Sequence, residues 1–334
     1  SLNLSGLPQL PGVGPTTESR HLDLEASVAR ARLNPAGTTL TIGVSGYVTY
    51  VPEADSRLGA DSVLVQIWDE DSGDDDLMVT TTTDRTGYFS AVISWDPSVE
   101  GEDKPDLYIT YATINPYVSV YNGTWTSFGT PYSWRSSTVS NVDGSLVYFG
   151  YLTPADLDDH AALGIHTDIT RAARWLKTRG GFDTPPVRAY WPDGDWAYYS
   201  PDEEAIHLSD SFGWEEDTHT HEYGHHWMKH FGHEAISDDY CNGQCDDDVF
   251  LGDCGHCSSC PEAPGWAWVE GWPNWLADVV TRSWAGDYGD SPRTSRDGES
   301  PPSVCSESGV APDPGLTEDY IHALLRDIED HTND

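Results

Sequence analysis

The run from Asp217 to Gly232 contains His221-Glu222-Tyr223-Gly224-His225, an H-E-x-x-H arrangement that constrains this chain more than any other feature. Residues four apart on a helix share a face, so His221 and His225 present two imidazoles to one point. Glu222 follows the first of them, where a carboxylate can take a proton from an attacking water. The helix boundaries are legible. Asp217 or Thr218 suits the N-cap, and Gly232 suits the position just past the C-terminus. The same five residues also occur by chance on solvated His-rich helices, so the reading needs a third ligand from elsewhere.

Glu270 is the strongest source for it. It sits among Trp266, Trp268, Trp272 and Trp275, where a carboxylate is costly to bury unless it is paired or bound to a metal. Carboxylates of the intervening insert (Asp238, Asp239, Asp246, Asp247, Asp248 and Asp253) are the alternatives, and they lie in polar, turn-rich sequence. His221-Glu222-x-x-His225 followed by Glu270-Gly271-Trp272 resembles the gluzincin zinc metallopeptidases, the thermolysin-like enzymes, over about residues 160–285. The metzincin pattern is excluded because Met228 and Phe231 stand where it needs Gly and His.

The resemblance implies a catalytic Zn²⁺ held by His221, His225 and Glu270, with Glu222 as general base in the hydrolysis of a peptide or protein substrate. It also implies an edge strand just before the active helix, here within Ala197–Ser209, on which an extended peptide can pair antiparallel. An oxyanion-stabilising residue is expected beyond the second zinc helix, and Tyr288, Tyr320 and His322 are the candidates. The chain departs from the family in three places. His225 and Glu270 are 45 residues apart (270 − 225), longer than in compact members. Asn274 replaces the aspartate expected four residues after the ligand, although its carbonyl can still accept an imidazole N–H. Pro273 removes a helical hydrogen bond, so the second helix is expected to begin near Glu270 or to kink there. Asn274 and Pro273 also suit a competing class, an adhesion or binding protein whose β-sandwich recognises a partner and whose zinc domain is degenerate. The intact Glu222 argues against that class.

The first half reads differently. Residues 1–20 are a Pro/Gly-rich extended lead-in, and 21–151 carry short alternating runs with turns between them. Leu22, Leu24, Ala26 and Val28 predict a strand, then Asn34–Gly37 a turn. Strands are expected over Thr39–Tyr50, Ser62–Trp68, Met78–Thr83, Tyr88–Trp95 and Leu107–Thr113, with Val118–Tyr121 and Ser145–Tyr151 closing a β-sandwich. Val44–Val48, Gly59–Val65 and Thr83–Phe89 resemble the carboxypeptidase-regulatory, transthyretin-like sandwiches. After 152 the spacing becomes helical over Ala161–Lys177, and 152–334 is the expected metallopeptidase domain with a Cys-rich insert at 232–264. The fold class is therefore multidomain: a β-sandwich followed by an α+β domain with a mixed sheet, an active-site helix and a glutamate helix.

Asp and Glu total 56 against 17 Lys and Arg, a formal net charge of −39, which argues against nucleic acid or an anionic membrane as partner. The acidity fits a halophile-type surface, with only Lys104, Lys177 and Lys229 as lysines, or calcium loading. The acidic run Asp69–Asp76 fits either a Ca²⁺ loop or a solvated hairpin tip, and matches no full EF-hand. No apolar run approaches the roughly 18 residues of a membrane span. A chain opening Ser1-Leu2-Asn3 reads as a mature or trimmed form. Six cysteines (241, 245, 254, 257, 260 and 305) suit disulfides in a secreted protein, a structural zinc knot, or free thiols. Secretion and oxidation are the expectation. His219, His226, His230 and His233 are expected to be solvated or packed and not to be ligands.

Overall fold

The computed structural model describes residues 20, 24–29, 39–52, 57–97, 104–123, 129–232, 264–289, 291 and 317–330. The Cys-rich insert with its aspartates, Cys305, the Asn34–Gly37 turn and nearly all of the lead-in lie outside them. In chain order the strands are β1 (Leu40–Tyr50), β2 (Leu58–Gly59), β3 (Leu64–Asp69), β4 (Asp76–Thr82), β5 (Tyr88–Trp95), β6 (Leu107–Ala112), β7 (Val118–Asn122), β8 (Thr130–Pro131), β9 (Ser133–Arg135) and β10 (Leu146–Leu152), then β11 (Val187–Trp191), β12 (Ala197–Ser200) and β13 (Ala205–Leu208). The long helices are α1 (His160–Trp175), α2 (Glu216–Phe231), α3 (Pro264–Asp287) and α4 (Glu318–Asp330). The described residues are thus β-rich and mixed, with three sheets, and their long helices are concentrated in the second half.

Two sheets enclose the first core. β1 is the spine of one, antiparallel to β5 from Leu40↔Trp95 to Tyr47↔Tyr88 and parallel to β10. The other is the antiparallel order β4-β3-β6-β9. Inward residues of both sheets form one apolar cluster, with Ile42, Val44, Phe89 and Ile93 facing Val65, Ile67, Leu107 and Ile109. β3 shows why alternation betrayed these strands: every second residue (Val65, Ile67, Asp69) is buried. β1 is buried along most of its length because its second face is covered as well. A Cβ on Gly43 would lie 2.6 Å from Val28 Cγ2, so a side chain there would push away the segment that covers it.

That covering segment corrects one expectation. Residues 24–29 are helical, not extended. Leu24 and Val28 are both buried, whereas Ala26 between them is exposed. Positions two and four apart satisfy either period over so short a run, and packing on Gly43 selected the helix.

A second correction concerns β7. It was expected to close the sandwich, but it lies in the third sheet, β12-β13-β11-β7-β8, paired in parallel with β11 from Val118↔Val187 to Asn122↔Trp191. The redirection occurs at Asn115, whose Oδ1 accepts the N–H groups of Tyr117 (2.8 Å) and Val118 (2.9 Å). Val118 and Val120 then bury against α1 residues Ala161, Ala162, Ile165 and Ile169 in the second core. Alternation identifies a strand without identifying the sheet that it joins.

α1 fills the space between the two cores. Leu163 belongs to the sandwich cluster, and Ile165 and Ile169 belong to the other. A π turn over Leu176–Gly180 ends the helix at Gly181, whose φ of 74° suits glycine. Where α1 meets the sandwich, buried Asp61 takes both oxygens to Arg174, with Nη2–Oδ1 at 2.9 Å and Nη1 on Oδ2. Burial alone would raise the Asp61 carboxyl. The Arg174 hydrogen bonds and charge outweigh it and hold the pKa below the usual range. No helix among the described residues is long and apolar enough to cross a membrane.

Candidate metal centre

α2 forms where the H-E-x-x-H run predicted a helix. Glu215 occupies the N-cap position without a side-chain cap bond, and Gly232 closes the far end. His221 and His225 project from one face with ring centroids 4.8 Å apart. Across from them, α3 supplies Glu270. The three donor atoms converge: His221 Nε2–His225 Nε2 is 3.0 Å, and Glu270 Oε2 is 3.2 Å from each nitrogen. All three side chains are buried. A tetrahedral site with bonds of about 2.0–2.1 Å has ligand atoms roughly 3.3 Å apart, so the spacing and the N/N/O donor set fit such an ion. Among the described residues, these three are the group of His, Cys or acidic side chains that could hold a metal ion. The Asp69–Asp76 run forms the β3–β4 hairpin tip. There Asp75 accepts from Asp71 N–H (3.2 Å) and Tyr108 Oη (2.7 Å), and no second such group arises among the described residues.

Two glycines make this convergence possible. A Cβ on Gly224 would lie 2.9 Å from Pro273 Cβ and 3.1 Å from Pro273 Cα, so α2 and α3 cross in close contact at that point. Pro273, the residue expected to start or kink the helix, lies inside a helix that begins six residues before Glu270 (270 − 264), with Pro264 at its first turn. Gly271 does the same on the other side. A Cβ there would lie 2.6 Å from Ile321 Cβ and 2.8 Å from Glu318 O, so α4 rests directly on α3 beside Glu270. The Trp227–Trp272 stack, at 4.4 Å between centroids, ties α2 to α3, and the Trp175–Trp275 edge contact ties α1 to α3.

Asn274 occupies the place the sequence assigned to it. Its Oδ1 accepts from His221 Nδ1 at 2.8 Å, and its Nδ2 donates to Glu318 Oε2 at 3.2 Å. Glu318 escaped sequence reasoning, because an acidic residue in a helix's first turn ordinarily needs no explanation beyond the helix dipole. Glu222 is buried on α2 next to His221.

The oxyanion candidates separate. Tyr288 is 18 residues beyond Glu270, about 27 Å along the helix axis. Its ring instead lies under Arg171 (4.4 Å) and Arg85 (5.5 Å). His322 is buried, with Nε2 3.5 Å from Asp278 Oδ2, two turns past Glu270. Tyr320 is half-buried on the turn of α4 that docks at Gly271.

The other α2 histidines are packed. His219 faces Asp168 Oδ2 (2.9 Å) and Phe212 O (2.7 Å). His226 faces Tyr199 Oη (3.2 Å) and Pro185 O (2.9 Å), and burial lowers its pKa to about 4, so the ring stays neutral. Among the described residues β12 is the edge strand beside α2, with Tyr198 and the preceding Trp196 exposed.

No family profile and no curated protein matches the chain. Among solved structures, similarity is found to a 9R-lipoxygenase from Cyanothece PCC8801, at 16% identity and a TM-score of 0.24, covering 52% of this chain and 30% of that one. A shaft pilin, SpaA, from Lactobacillus rhamnosus GG aligns at 18% identity and a TM-score of 0.17, covering 33% of this chain and 48% of the pilin. Likenesses at these scores leave fold and function to be argued from the chain's own residues.

Proposed function

We propose that this chain is a secreted zinc metallopeptidase of the gluzincin type, with His221, His225 and Glu270 as the zinc ligands. One observation carries the reading: three buried donors from two helices meet at tetrahedral spacing, and an H-E-x-x-H carboxylate stands beside them. Bound there, zinc supplies Lewis acidity toward water and a peptide carbonyl. The protein's own residues do the rest. His221 and His225 offer Nε2 lone pairs, and Glu270 offsets part of the ion's charge. Glu222, which is not a ligand, takes the proton from the attacking water and returns it to the leaving amine. Among the described residues β12 ends its sheet, the place where an extended peptide would add a strand, with Trp196 and Tyr198 as flanking contact surface.

The test is Glu222→Gln. The variant should keep stoichiometric zinc by metal analysis and an unchanged unfolding midpoint, while peptide-library hydrolysis falls by about 10²–10⁴-fold. Wild-type-like turnover would remove Glu222 as base. Stoichiometric zinc without hydrolysis by the wild type would favour the adhesion or binding class.

A further inference from the structure

We infer that Glu318 is a positioning residue that, acting through Asn274, fixes the tautomer of His221 that leaves Nε2 free for a metal. The inference rests on the proposed ligand role of His221. The three side chains form a buried line: Glu318 Oε2 to Asn274 Nδ2 at 3.2 Å, then Asn274 Oδ1 to His221 Nδ1 at 2.8 Å, with none more than 7% exposed.

The physical problem is that an amide has a donor end and an acceptor end of almost the same size. Turned one way, Asn274 accepts from Nδ1–H, and Nε2 keeps its lone pair. Turned the other way, Nδ2 donates to Nδ1 and the proton moves to Nε2, the atom that faces His225 and Glu270. An asparagine alone does not choose between these. An ionised carboxylate accepts and cannot donate, so Glu318 holds Nδ2 toward itself and Oδ1 toward the imidazole. A carboxylate at position 274 would orient the ring directly. Here the negative charge stands one side chain further back and reaches His221 through the amide. Such partners raise ligand basicity as well as fixing orientation. The glycine at 271 is part of the device, because without a Cβ there α4 comes close enough to put Glu318 in reach.

Glu318→Gln in the full chain is the direct test, since it keeps the side chain's shape but can donate or accept. Zinc affinity, measured by competition with a chelator, should weaken about 10–100-fold. In the metal-free protein at alkaline pH, where an imidazole is neutral, long-range ¹H–¹⁵N spectra should show His221 as the Nδ1–H tautomer in the wild type and as a mixture in E318Q. Asn274→Asp supplies the control. N274D alone sets two carboxylates against each other and should bind zinc weakly. Adding E318Q provides a donor to the new carboxylate and should tighten binding again. The effect of E318Q therefore reverses sign between the two backgrounds, which a merely structural role would not produce. A loss of equal size in both backgrounds, zinc affinity within twofold of wild type, or an unchanged His221 tautomer in E318Q would overturn the proposal. If the wild type fails to bind zinc, the proposed function falls, and the spectra still judge the tautomer.

Discussion

The sandwich core and α2 are both buried, but by opposite chemistry. In the sandwich, Ile42, Val44, Val65, Ile67, Phe89, Trp95 and Ile109 meet across two sheets, and stability comes from apolar area withdrawn from water. On α2 the buried set is Glu216, Thr218, His219, Thr220, His221, Glu222, His225 and His226, with only Tyr223, Gly224 and Met228 as apolar or neutral company. Burying those groups is unfavourable unless each is hydrogen-bonded or coordinated. Their partners come from outside the helix: Asp168 for His219, Asn274 for His221, and Pro185 and Tyr199 for His226. A helix of this kind is held by its neighbours. It marks where the fold gives up stability to bury polar groups.

The contrast can be tested from the sandwich side. Phe89→Ala removes a ring 1% exposed in the first core and should cost about 3–5 kcal/mol in urea unfolding. Zinc affinity at low denaturant should stay within about twofold, because among the described residues α2, α3 and α4 contribute nothing to the apolar cluster of Phe89. A comparable loss of zinc would break the separation between the two regions.

His166 on α1 sharpens the comparison, because it is a buried polar group whose ring nitrogens have no hydrogen-bond partner among the described residues. Burial lowers its pKa to about 4 from 6.5. Between those values the unfolded chain binds a proton that the native ring refuses. Stability therefore falls as pH drops from about 6.5 toward 4, levels off below, and is intact above 6.5. The size is about 3 kcal/mol by the shift. His166→Leu should flatten that part of the stability–pH curve, seen as urea midpoints at pH 7 and pH 5. An unchanged slope would mean that other groups govern it.

The smallest effect is expected at the glycine beside Glu270. Gly271→Ala should cost about 1–3 kcal/mol, since its Cβ meets Ile321 and a backbone oxygen, neither of which yields cheaply. Zinc affinity should fall with it, because the displaced helix carries Glu318. Loss of stability with full zinc affinity would separate the packing role of Gly271 from the site.

Much of this was legible in the chain. The period-two runs gave the strands of the sandwich, the H-E-x-x-H spacing gave α2 and its two imidazoles, and the tryptophan setting of Glu270 singled out the carboxylate that meets them. Where local signals failed, they were compatible with more than one environment. Leu24 and Val28 fit either period, and Val118–Asn122 fits any sheet. Asn274 and Pro273 looked like damage to a motif until Glu318 and Gly224 stood opposite them.

What the sequence determined by itself was whatever depends on spacing within one element: which residues share a face, and which side chains could hold a metal ion. What only the tertiary structure decided was whatever depends on two elements meeting. The 45-residue separation of His225 and Glu270 says nothing of their approach to 3.2 Å. That approach is set by the missing side chains of Gly224 and Gly271, which let three helices pack close enough for an imidazole, an amide and a distant carboxylate to form one line. A sequence records that a glycine has no side chain, but only the fold shows which neighbour occupies the space.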